Sequence, residues 1–129
     1  MDKKSYFPIL IDLTKYKALV IGGGGIAERK VRNLLDFGAK PDVISPEVTP
    51  ALEKIIEDEG LNFARRKYRA GDTERYNLIF SATGDTEADK MLENECSGTG
   101  KLLNVADVPP LCNFIMPATI KRGSLTFSI

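Results

Sequence analysis

A chain of 129 residues, 43% apolar and 28% charged, is long enough for one domain with its own core and too apolar to be disordered. Its 18 basic residues balance 18 acidic ones, so nothing in the overall charge points to nucleic acid or to a membrane surface. Histidine is absent, which removes Ser–His and Cys–His nucleophiles and imidazole metal sites; acid–base work falls to carboxylates, Lys or Tyr, or to a cofactor.

Residues 17–22 (KALVIG) form a short apolar run of the kind buried in a parallel sheet. Residues 25–37 follow as a helix, with Ile26, Ala27, Val31, Leu34 and Leu35 at helical spacing and Gly38 past its end. A second strand is expected at 42–45 and a helix at 49–59, with Leu52, Ile55 and Ile56 on one face and Gly60 closing it. A more polar third strand spans 61–66, and the basic run Arg65-Arg66-Lys67-Tyr68-Arg69 extends from its end. That run reads either as a solvated loop or as a site for an anionic small molecule.

Residues 76–83 (YNLIFSAT) predict a strong central strand. The helix at 85–97 places Ala88, Met91, Leu92 and Cys96 inward, and a fifth strand spans 101–106 (KLLNVA). Two β-prone runs, 114–120 and 125–129, flank Lys121-Arg122-Gly123-Ser124 as an antiparallel hairpin would. The expected fold is α/β: a Rossmann-like doubly wound parallel sheet with a C-terminal antiparallel β-hairpin. Residues 1–113 would form the nucleotide-binding unit and 114–129 the extension.

No stretch approaches the roughly 18 apolar residues of a membrane span, and the N-terminal MDKKSYFP lacks the apolar core of a signal peptide. Cys96 and Cys112 lie far apart with no C-x-x-C spacing. They read as free thiols of a reducing compartment, so a cytoplasmic protein is expected.

Gly22-Gly23-Gly24-Gly25-Ile26-Ala27 reads G-x-G-x-x-A between the first strand and the first helix. Gly22 permits a tight turn, Gly24 lets the backbone meet a pyrophosphate, and Ala27 allows close helix packing, with Gly23 in the variable place. Gly25 and Ile26 open the helix, whose free N–H groups would receive the anion. The alternative is a structural turn with no ligand. An acidic residue usually ends the second strand of NAD sites; here Ser45, Pro46 and Glu47 stand there, with no Arg or Lys to take a 2′-phosphate, which favours NAD. Thr83, Gly84 and Asp85 follow the fourth strand, where the nicotinamide half should pass.

Residues 6–129 resemble the NAD-binding domain of the precorrin-2 dehydrogenases, the N-terminal part of siroheme synthases. Tyr6-Phe7-Pro8-Ile9, Gly22–Lys30 (GGGGIAERK), Ser81-Ala82-Thr83, Asn104-Val105-Ala106-Asp107 and Phe114-Ile115-Met116-Pro117-Ala118 carry the resemblance. It implies NAD-dependent oxidation of precorrin-2 to sirohydrochlorin, and in some members insertion of ferrous iron, with Asp107 as the essential aspartate. Gly84 and Asp89 depart from the Asp or Asn and the Asn expected there. The resemblance further implies that longer members carry a dimerising, largely helical segment after the hairpin and act as homodimers. The residues themselves leave Asp107 either a catalytic group at a strand's carboxyl end or the cap of a turn. Arg65, Arg66, Lys67, Arg69, Lys121 and Arg122 are candidates for holding the carboxylates of the tetrapyrrole. No metal site is expected. A regulatory NAD-sensing domain of a transport system is the alternative; it would need no catalytic carboxylate.

Overall fold

The computed structural model describes residues 4–116 and the backbone of Thr119–Arg122 and Leu125–Ser128. Strands β1 (Ala18–Ile21), β2 (Asp42–Ile44), β3 (Phe63–Ala64), β4 (Leu78–Ser81) and β5 (Leu102–Val105) form one sheet in the order β3-β2-β1-β4-β5, every pair parallel. Helices α1 (Gly25–Asp36), α2 (Pro50–Glu59) and α3 (Thr86–Cys96) connect the strands. β6 (Thr119–Arg122) and β7 (Leu125–Ser128) pair antiparallel, Ile120 opposite Phe127. Lys121 and Arg122, expected in their turn, instead pair within β6, and residues 114–116, expected as strand, are not extended into it; Gly123 and Ser124 lie outside the described residues.

The central strands are apolar on both sides because helices cover both faces. On one face Val20 and Phe80 pack with Ala27, Val31 and Leu34 of α1 and Leu52 and Ile56 of α2. On the other, Leu19, Ile79 and Leu103 pack with Leu92 and Cys96 of α3. Each fully buried Leu contributes about 2 kcal/mol by leaving water. The sheet is therefore doubly wound, as the alternation of elements predicts.

Local chemistry sets the helix ends. The Thr49 hydroxyl accepts from the Leu52 amide at 3.1 Å, Pro50 occupies the first turn of α2, and Gly60 ends that helix at φ +65°. Asp85 caps α3, its carboxylate accepting from the amides of Glu87 and Ala88. α1 differs: Gly24 is its N-cap, and no side chain satisfies the first-turn amides.

Two further expectations need correction. β3 has two residues rather than six, because the chain turns away at Arg66, whose amide donates to the Ala64 carbonyl. In α3, Asp89 is buried and Met91 is 44% exposed, because the Ser81 hydroxyl at the end of β4 gives Asp89 an inward partner at 2.7 Å. Among the described residues, no helix is long and apolar enough to cross a membrane.

Candidate functional site

Strand order reverses between β1 and β4, and the loops leaving their carboxyl ends frame the crevice where such sheets bind ligands. The Gly22 amide donates to the Ile44 carbonyl and the Ala82 amide to the Ile21 carbonyl, which ties the first loop to both neighbouring strands. Gly22 adopts φ +131°, and a β carbon there would lie 2.6 Å from the Ala82 carbonyl oxygen. At Gly23 a β carbon would lie 1.9 Å from the Glu47 carbonyl oxygen and 2.7 Å from the Ser45 hydroxyl. Gly23 therefore occupies no variable place: the loop between β2 and α2 passes so close that only hydrogen fits. Beside Gly24 and Gly25 there is open space, with no atom within 4 Å of a β carbon.

The four glycines thus divide into two that let the chain pack and two that leave room. Gly24 and Gly25 sit where the uncapped amides of α1 emerge, with exposed Ile26 beside them. Donor N–H groups, the positive end of a 12-residue helix and empty space fit the pyrophosphate of a dinucleotide.

At the end of β2, Ser45 is buried and its hydroxyl donates to the Glu47 carbonyl at 2.6 Å. That proton is committed to the loop, while Pro46 and Glu47 are exposed at the crevice edge. Beyond β4, the Asp85 amide donates to the Thr83 hydroxyl oxygen, and Gly84 adopts φ +69°, so Gly84 meets a backbone requirement. Asp85 is occupied as the cap of α3, which leaves Thr83 and the loop backbone to face a ligand.

Asp107 is exposed just beyond β5 and is the single non-glycine residue at positive φ, +63°, among the described residues. It is the third residue of the turn closed by the Val108 amide on the Val105 carbonyl, a place where Gly or Asn is the relaxed choice. Nearby, the Asn104 side-chain amide donates to the Phe114 carbonyl at 3.1 Å, and the Phe114 ring meets Phe80 edge-on at 5.6 Å. Lys30 lies over the Phe80 ring; burial, helped by Arg29, holds its ammonium below the ordinary lysine range.

The basic run does not join this group. It leaves β3, which lies four strand spacings, about 19 Å, from β5. Arg65 pairs with Glu53 and stacks on Phe63, and Arg66 makes a two-pronged pair with Asp72. The Arg66 guanidinium holds the Asp72 carboxyl below the usual range. The side chains of Lys121 and Arg122 lie outside the described residues. No cluster of three or more His, Cys, Asp or Glu residues that could hold a metal occurs among the described residues.

Three contributors escape sequence reasoning. Gly23 could have been suspected from four glycines standing where the motif needs two. The Ser81–Asp89 pair is visible only once β4 and α3 are packed. Lys4, whose ammonium meets the carbonyls of Pro109, Pro110 and Cys112, has no local signal.

This is the architecture of a Rossmann-like dinucleotide-binding domain. The chain belongs to the family described as "Putative NAD(P)-binding", whose profile matches residues 9–118. It is 34% identical over 124 residues to the siroheme synthases of Pseudomonas paraeruginosa and Saccharophagus degradans, covering 96% of this chain and 27% of each relative. A solved structure of SirC, a precorrin-2 dehydrogenase, superposes with a TM-score of 0.84 at 27% identity, covering 96% of this chain and 60% of SirC. The chain thus spans about a quarter of the length of the siroheme synthases it matches.

Proposed function

We propose that this chain is the NAD-binding, dehydrogenating part of a precorrin-2 dehydrogenase, converting precorrin-2 to sirohydrochlorin on the way to siroheme. One observation carries the reading. An exposed aspartate held at positive φ stands at the carboxyl end of β5, two strands or about 10 Å from an open, uncapped glycine cradle at the end of β1. A cofactor anchored at the cradle would extend over the end of β4 and leave its reactive ring beside Asp107. The siroheme synthase relatives and the SirC likeness support the same assignment.

When bound, NAD accepts the hydride that leaves the macrocycle. Gly24, Gly25 and the amides of α1 hold the pyrophosphate. The Thr83–Asp85 loop bounds the nicotinamide side. Asp107 takes the accompanying proton on a carboxylate oxygen, so that two electrons and two protons leave precorrin-2 in balance. Exposed Glu47 would repel a 2′-phosphate, favouring NAD over NADP.

Residues 1–113 serve as the cofactor domain and 114–129 as the start of a further region. The full protein acts in the cytoplasm as a homodimer, with the tetrapyrrole as its small-molecule partner. The test is to mix the protein with precorrin-2 and NAD and follow NADH and sirohydrochlorin. One NADH per macrocycle supports the assignment; NAD binding without NADH formation points to a sensor domain instead.

A further inference from the structure

We infer that Lys4 is a positioning residue: the N-terminal segment straps the loop that carries Asp107 and fixes that carboxylate for proton transfer. The inference rests on the catalytic reading of Asp107 given above.

The loop from Ala106 to Asn113 is closed at its base against β5. The Cys112 thiol accepts from the Val105 amide at 3.1 Å, the Asn113 amide donates to the Leu103 carbonyl, and the Asn113 side chain bonds both the Leu103 amide and the Lys101 carbonyl. Its crest is the short 3-10 turn Pro109–Leu111. Two consecutive prolines there contribute carbonyls but no N–H donors, so the crest is rich in acceptors. The carbonyls of Pro109, Pro110 and Cys112 converge on one point.

Lys4 fills that point. Its ammonium donates to Pro109 at 3.1 Å, to Pro110 at 3.0 Å and to Cys112, so three donors meet three acceptors across more than a hundred residues of sequence. A cation at the carbonyl end of a helical turn is also electrostatically favoured. The turn that leads into this crest, Val105 to Val108, holds Asp107 in a strained left-handed conformation, φ +63°. Such a residue keeps its geometry only while its surroundings over-determine it. Clamping the crest adds to that constraint.

Comparing Lys4→Met, Lys4→Arg and Asp107→Asn with the wild-type protein tests this. Lys4→Met should lower kcat about tenfold and speed exchange of the Val108, Leu111 and Cys112 amides about tenfold. The NAD-induced rise in melting temperature and exchange in β1 and β4 should stay unchanged. Lys4→Arg should restore most of both losses. The inference is overturned if Lys4→Met keeps wild-type kcat and exchange, if exchange rises throughout the sheet, or if Arg rescues no better than Met. Asp107→Asn separates the two claims: wild-type turnover by that variant defeats the catalytic reading, whereas an inactive Asp107→Asn beside a fully active Lys4→Met defeats the strap alone.

Discussion

Gly23 lies against Glu47 so closely that a β carbon would stand 1.9 Å from the Glu47 carbonyl oxygen, while the Gly23 carbonyl accepts from the Thr49 amide at 2.9 Å. The loop that faces the ligand and the loop that starts α2 are thus one packed unit. Gly23 is needed for packing, whereas Gly24 stands beside open space, where we propose that the cofactor sits.

That division is measurable. Gly23→Ala must displace backbone and should cost about 3 kcal/mol, seen as a fall in melting temperature of about 10 °C or more. Gly24→Val enters open space with extended backbone (φ −88°), so it should cost about 1 kcal/mol or less. It should nevertheless abolish the melting shift produced by millimolar NAD. Equal destabilisation by both substitutions would refute the separation.

Asp107 occupies a turn position that glycine would fill without strain. Asp107→Gly should leave stability unchanged or raise it by up to about 1 kcal/mol, while eliminating sirohydrochlorin formation. A clear loss of stability would mean that the side chain is there to cap the turn.

Acid should loosen the 68–73 segment first. Glu95 accepts from the Tyr68 hydroxyl, the Gly71 and Thr73 amides and the Thr73 hydroxyl. Burial pushes its carboxyl up, but these bonds outweigh burial and hold it below the usual range. Its folded value lies below its unfolded one, so the stabilisation is complete above about pH 5 and fades as pH falls through the range below. Asp72, lowered by Arg66, changes in the same direction. Glu95→Gln should cost about 1–3 kcal/mol at neutral pH and flatten the acid limb of the melting profile. An acid limb unchanged in slope would contradict this.

The basic run offers a contrasting expectation. Arg65 and Arg66 are already paired, at the sheet edge opposite β5. Arg65→Ala and Lys67→Ala should leave KM for precorrin-2 within about twofold, consistent with the small value of exposed charges. A tenfold rise would return these residues to the substrate site.

Much of this was readable before folding. The Thr49-Pro50 start and Gly60 stop of α2 are local signals, and Gly24 and Gly25 follow from the motif lying between a strand and a helix. The rest depends on neighbours distant in sequence. Chain order places Arg65 one strand before β4, whereas strand order puts β3 at the far edge. Asp89 and Met91 both suit an inner helical face until the Ser81 hydroxyl chooses between them. The clash at Gly23 exists only because the β2–α2 loop passes beside the glycine loop, and the Lys4 clasp joins segments that no periodicity connects.

The most direct test of the whole account is the Asp107→Asn protein given precorrin-2 and NAD. The account predicts a wild-type NAD-induced melting shift together with no NADH above background. NADH formation at the wild-type rate, or loss of the melting shift, would contradict it.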